Sequence, residues 1–358
     1  MSDLVDEGRR RFIRTGAAAL AVTRLGVIGS AIQQMACAAL VNEGTLPSLS
    51  GATEWINSPP LTSEGLRGKV VLVDFWTYTC ANWTRTLPYI RAFAEKYRDQ
   101  GLVVIGAHTP EFPFEHDVDN IRWYAKTMGV NYPIAVDSDY GIWRAFDNNY
   151  WPAVYIADAT GRIRYHHFGE AAYDEQERVI QRLLRESHKN VNGDLVKVNP
   201  RGLEVAADYV TLRSQETYLG YERGDSFAGD AHQNTPQNYT VPSTLQLNQW
   251  ALGGNWTVQG RPVVLNQPNG KIAFRYHARD VNLIMCPPSK GESVPFTVRV
   301  DGKPPGAGHG EDTDAQGNGV LTRQRCYQLV RLNDRVTDRT FEIEFSQPGV
   351  EAYDFTFG

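Results

Sequence analysis

The chain has 358 residues, 42% of them apolar and 22% charged, with a formal net charge of −5. Such a length and composition fit a soluble globular protein of two domains. With no long Lys/Arg run beyond the N-terminus, they exclude the basic face that nucleic-acid binding requires. The four cysteines, Cys37, Cys80, Cys286 and Cys326, are too few for a disulfide scaffold and are not spaced as zinc ligands. No metal or cofactor is implied.

In chain order, the first signal is Arg9-Arg10-Arg11-Phe12-Ile13-Arg14, followed by an Ala-rich apolar stretch from Gly16 to Leu40. Arg24 interrupts that stretch, which makes it a poor membrane span. The basic cluster and its spacing resemble the twin-arginine export motif. Residues 1–41 are therefore expected to be an export signal, with small residues for cleavage between Ala36 and Ala39. That implies export across the bacterial cytoplasmic membrane to the periplasm or cell envelope. The alternative is an N-terminal helix that stays in the cytoplasm. Cys37 could accept a lipid, but Gln34 is a poor residue for that signal.

An entry segment rich in Pro and Ser runs to Gly68. Val70 to Trp76 is then apolar and β-branched, as in a buried strand. Leu87, Ile90, Phe93, Ala94 and Tyr97 recur at helical spacing. Cys80 falls between the two, at a helix start. There the unpaired N–H groups and the helix dipole favour a thiolate. Such sites lower a thiol pKa from about 8.5 toward roughly 3.5–7.5. A free cysteine can equally be a small buried apolar residue.

Residues 101–107 read as a second strand, joined to the first through the helix and so parallel to it. His108 follows, on the edge where Cys80 lies. Helices are expected over 118–128, 139–146 and 174–186, a short strand over 132–136, and a hairpin from 153–156 and 162–168. The polar stretch 189–202 reads as a linker. From residue 203 onward, short alternating runs separated by Gly, Pro, Asn and Asp predict an antiparallel β-sandwich.

Several residues carry a family resemblance. They are Asp74 six residues before Cys80, Trp76 before the turn, Pro88 within the helix, and Trp151-Pro152. In these the segment resembles the thioredoxin/redoxin family, which implies an α/β thioredoxin fold over 42–188 followed by an all-β antiparallel sandwich over 203–358. Tyr218-Leu219-Gly220-Tyr221-Glu222 and the ending Tyr353-Asp354-Phe355 extend the resemblance to the extracytoplasmic C-terminal part of DipZ-type proteins, whose last domain resembles a carbohydrate-binding module. One position departs from the family: Cys-x-x-Cys reads Cys80-Ala81-Asn82-Trp83, so Trp83 stands where the resolving cysteine would be.

By the resemblance, Cys80 is a nucleophile and Asp74 a buried acid that relays protons, or simply a satisfied core acid. Pro152 is a cis-proline that positions an extended substrate, with Trp151, Tyr78 and Trp83 lining the groove or packing. Reductase chemistry needs a second thiol, which Trp83 cannot supply, and its ring one turn along could cover the sulfur. Three outcomes stay open: monothiol exchange resolved by an outside thiol, antioxidant chemistry on peroxide through a sulfenic acid, or a degenerate scaffold that binds polypeptide or glycan. Thr77 sits as a threonine does in peroxiredoxins, but their proline is missing at Val73. The implied partners are exported protein disulfides or peroxide, a membrane thiol-reductant donor of the DsbD type, and a glycan at the sandwich domain. In that domain Trp250, Trp256, Tyr276 and Tyr327 are either a sugar-stacking platform or core. Cys286 and Cys326 are expected to pair as a disulfide, since export favours oxidation. Asp312, Asp314 and Asn318 form a polar turn rather than a calcium loop, which would need a later Glu.

Overall fold

The computed structural model of the chain describes residues 40–358. The export-signal reading lies outside these residues except for Leu40 and Val41, and Cys37 lies outside them too. The chain divides into two compact units, one ending at Asn199 and one beginning at Pro200.

The first unit is a seven-stranded sheet under helices. Its strands are β1 (Gly44–Thr45), β2 (Glu54–Ile56), β3 (Val70–Trp76), β4 (Leu102–His108), β5 (Ile134–Val136), β6 (Ala153–Ala157) and β7 (Arg162–Phe168), in the order β1-β7-β6-β3-β4-β5-β2. Strands β3, β4 and β5 are parallel, and β6 runs antiparallel to β3. Every residue of β3 is buried, as expected of a central strand covered on both faces. Helix α1 (Ala81–Tyr97) returns the chain from β3 to β4 and buries Leu87, Ile90, Phe93 and Tyr97. Pro88 lies inside it. Helices α2 (Val118–Thr127), α3 (Gly141–Ala145) and α4 (Tyr173–Glu186) complete the unit. This is the thioredoxin-like α/β fold. Residues 189–199 carry no regular structure, yet they are tied to α4. Glu177 accepts the Val196 N–H at 2.8 Å, and Arg185 donates to the Val191 carbonyl at 3.1 Å.

The second unit is antiparallel throughout its paired strands. They are β8 (Thr217–Tyr218), β9 (Gln237–Tyr239), β10 (Trp250–Val258), β11 (Val263–Leu265), β12 (Gly270–Tyr276), β13 (Asp280–Cys286), β14 (Val294–Val300), β15 (Asn318–Leu321), β16 (Arg325–Arg331), β17 (Arg339–Phe345) and β18 (Glu351–Phe357). Strand β10 turns a corner. Trp250 to Gly253 pair with β12, while Gly254 to Trp256 pair with β9 and Trp256 to Val258 with β11. The corner falls at Gly254, whose φ of +92° suits glycine and strains other residues. Trp250, Trp256, Tyr276 and Tyr327 all lie in the apolar core. The stacking-platform alternative is therefore corrected: alternation along the strands turns these four rings inward.

The expected Cys286–Cys326 disulfide is also corrected, for no bond joins the two sulfurs. Strands β13 and β16 pair Ile284 with Cys326, which leaves Cys286 on the diagonal. Diagonal neighbours sit about 7–8 Å apart, beyond the roughly 6.8 Å that a disulfide spans. Burial pushes the Cys326 thiol up to about 12, so it is an inert thiol. Asp312 pairs with Arg325 at 2.5 Å, and Asp314 accepts the N–H groups of Gln316 and Asn318. Both acids are thus used in closing the turn.

Candidate active site

Strand β3 ends at Trp76, and Thr77-Tyr78-Thr79 turns the chain into α1. The Cys80 N–H donates to the Thr77 carbonyl at 3.2 Å, which closes the turn. Cys80 is the N-cap of α1, and its Sγ accepts the Trp83 N–H at 3.4 Å. A thiolate here takes an orphan donor of the first turn and lies at the positive end of the helix dipole. Cys80 is 6% exposed, so only a small part of the residue reaches the surface.

Trp83 does not cover the sulfur. Its side chain is fully buried and turns toward the sheet. The indole lies on Trp76 with centroids 4.3 Å apart and planes 24° apart. Its Nε1–H donates to Asp74 Oδ2 at 2.8 Å. The cause is local: Asp74 and Trp76, two residues apart on β3, present one face to α1. An indole one turn past the cap drops onto that face. Burial pushes the Asp74 carboxyl up to about 7, and the indole hydrogen bond opposes that rise. Asp74 is therefore paired with the indole of Trp83.

The substrate-groove reading of Tyr78 and Trp83 is corrected by the same geometry, since neither ring reaches the surface. Tyr78 packs against His108, Phe114 and Tyr124 with centroids 5.8, 6.2 and 5.5 Å away. Trp151-Pro152 is a cis peptide, as the resemblance implied. The Trp151 ring turns inward, donating to the Thr109 carbonyl at 3.1 Å and packing on Trp143 at 4.2 Å. Pro152 is buried as well, and its carbonyl accepts the Gly169 N–H at 2.8 Å.

His108 pairs in register with Trp76 and so sits on the expected edge. It is buried, and burial lowers its pKa to about 3, which makes it a neutral ring at physiological pH. His166 pairs with Glu43 at 2.7 Å, and His167 contacts the Glu170 carbonyl at 3.0 Å. Among the described residues, no three His, Cys, Asp or Glu side chains gather as metal ligands.

Two features have no sequence signal at Cys80. Arg85, one turn along α1, is buried in an ion pair with Glu170 at 2.9 Å and also donates to Asn82 Oδ1 at 3.1 Å. Glu115, in the short 3₁₀ turn Pro113–His116, reaches Thr79 next to Cys80. Its Oε1 accepts the Thr79 hydroxyl at 2.6 Å and the Thr79 N–H at 3.3 Å. The acid lies 35 positions beyond the cysteine, and only folding brings them together.

Comparison with known proteins places these features in a family. Residues 47–166 match the AhpC/TSA family, and residues 214–358 match a thioredoxin-like C-terminal domain. Protein DipZ of Mycobacterium tuberculosis is 34% identical over 322 residues, 88% of this chain and 43% of the relative. The chain thus spans under half the length of that relative. Thiol-disulfide oxidoreductase YkuV of Bacillus subtilis is 32% identical over 142 residues, 40% of this chain and 95% of the relative. A thioredoxin-like protein solved in its oxidised form shares 33% identity, with a TM-score of 0.37, over 40% of this chain and 96% of its own.

Proposed function

Because this chain belongs to the thioredoxin-like thiol-disulfide oxidoreductase family, we propose that it performs monothiol exchange at Cys80 on polypeptide disulfides outside the cytoplasm. The observation that carries this reading is the Cys80 sulfur at the α1 N-terminus, accepting a first-turn N–H. The thiolate attacks one sulfur of a substrate disulfide. A Cys80–substrate disulfide forms, the substrate S–S bond breaks, and the other substrate sulfur leaves as a thiolate. In dithiol relatives of this chemistry a second cysteine then attacks. Here an indole holds that position, so a thiol from another molecule must attack the mixed disulfide and leave with the substrate sulfur. A membrane thiol-reductant of the DsbD type, expected from the family resemblance, is the proposed donor.

Antioxidant chemistry uses the same sulfur. A peroxide would transfer one oxygen to the Cys80 thiolate, giving a sulfenic acid and releasing an alcohol or water; one outside thiol would then form a mixed disulfide and release water, and a second would attack that disulfide, free the Cys80 thiol and leave as a disulfide with the first. A second reading, a scaffold that binds polypeptide or glycan without catalysis, is favoured by one observation. Asp74 already accepts the Trp83 indole, so that oxygen is not open to a substrate or a thiol.

The test is the pH dependence of Cys80 alkylation in the chain carrying C286S and C326S, with parallel trapping of a mixed disulfide. An apparent pKa below about 7.5 with a trapped adduct supports exchange. A value near or above about 8.5 with no adduct supports the scaffold reading.

A further inference from the structure

The least expected group near Cys80 is Glu115. Its side chain is fully buried, and both oxygens are engaged. Besides the two donors of Thr79, Oε2 accepts the backbone N–H groups of Glu111 at 2.6 Å and Phe112 at 2.8 Å. Four donors from two loops converge on one carboxylate. One loop is the turn that ends in Cys80, and the other leaves β4 beyond His108. A carboxylate can accept four such bonds, since it carries no hydrogen of its own.

We infer that Glu115 is a positioning residue for Cys80: acting through Thr79, its carboxylate holds the turn that presents the sulfur at the α1 N-terminus, and protonation of Glu115 releases that hold. The inference rests on the reading that Cys80 is the reactive group. The release follows from the hydrogen-bond count. A proton on either oxygen faces an N–H pair or the Thr79 hydroxyl, so that hydroxyl must reverse or a donor must leave. Amide substitution has the same effect, because the NH₂ of a glutamine would meet two N–H donors.

The surroundings place this event near neutrality. Burial pushes Glu115 up to about 7, opposed by its donors and reinforced by the nearby Glu111 carboxylate. The other titratable groups facing the site are His116 in the same turn, His108 against Tyr78, and Asp74 under Trp83. His108 stays neutral above about 3. Asp74 titrates in the same range as Glu115, so the two must be separated by substitution.

The experiment follows the Cys80 ¹³Cβ resonance of the full chain from pH 4 to 10, with alkylation measured alongside. The resonance reads the turn whether or not the thiol reacts. The expected result is a step near pH 7 in addition to the thiol's own titration. The step disappears in E115Q and persists in D74N. In T79V, which removes one donor from the anion, it moves to higher pH, and T79S restores it. A chain without the step, a step that survives E115Q, or a step lost only in D74N overturns the inference. Should E115Q not fold, the T79V and T79S pair decides by the direction of the shift. If the step follows Glu115 but Cys80 never alkylates, the positioning role stands and the exchange reaction falls.

Discussion

At the scale of single residues, the site turns on what Trp83 does to Asp74. The indole stacks on Trp76 and donates to the acid beneath it. Restoring a thiol there tests the frame. W83C is expected to raise reduction of insulin disulfides at least about tenfold, since a positioned second nucleophile makes resolution intramolecular. Unchanged turnover would mean that α1 does not present residues 80 and 83 to one substrate. Asp74 also carries a pH signature. Its folded pKa is raised to about 7 from an unfolded value near 3.9. The folded chain therefore binds the extra proton between these values, and its contribution to stability is fully present below about 4 and lost as pH rises to about 7. Three pKa units correspond to at most about 4 kcal/mol. Urea unfolding should show stability falling across that window, and D74N should flatten the fall. An equal slope in D74N would assign it to another group, with Glu115 next in line.

At the scale of elements, close approach decides which substitutions are tolerated. Gly106 on β4 lies opposite Asp74 in the parallel register. A Cβ there would stand 2.7 Å from Trp76 Nε1 and 3.2 Å from Tyr132. G106A should therefore displace the Trp76–Trp83 stack and cost roughly 1–3 kcal/mol, the usual range for overpacking a core. Calorimetry checks the cost, and Asp74 titration by infrared spectroscopy checks whether the indole bond is lost. In the second unit, Gly254 makes the β10 corner with Gly270 Cα only 3.2 Å from a would-be Cβ. G254A should lower the melting temperature without changing Cys80 alkylation. The elements themselves were legible in sequence: the apolar run of β3, the helical stripe of α1 and the alternation of the later strands each bury what their period predicts. The direction of Trp83 was not, because a residue three past an N-cap can face the sulfur or the sheet. Only the packing of α1 on β3 shows that Trp83 turns to the face where Asp74 and Trp76 lie.

At the scale of the whole molecule, the chain divides into two compact units after Asn199, and compact units with cores of their own are how domains that fold alone are built. A fragment of residues 40–199 is expected to fold and to keep the Cys80 titration of the full chain. Loss of cooperative unfolding in that fragment would show that the first core needs more of the chain. The division was legible because the period of apolar residues changes from helical to alternating near residue 200. Long-range pairings escaped it. Glu115 meets Thr79 only after the loop beyond β4 closes. The miss at Cys286 and Cys326 has the same origin, since two cysteines on neighbouring strands look ready to bond until the register sets them on a diagonal.

The indole at position 83 finally bears on time rather than on reactivity. In a dithiol site, a captured substrate is expelled by its captor, on a schedule the captor sets. If Cys80 captures a substrate as proposed, with Trp83 at the position three residues on, release falls to an outside thiol, and the lifetime of the covalent complex would scale inversely with the concentration of that thiol. Such a chain would be a clock for the reducing power of its compartment: briefly occupied where thiols are plentiful, and holding its catch where they are scarce.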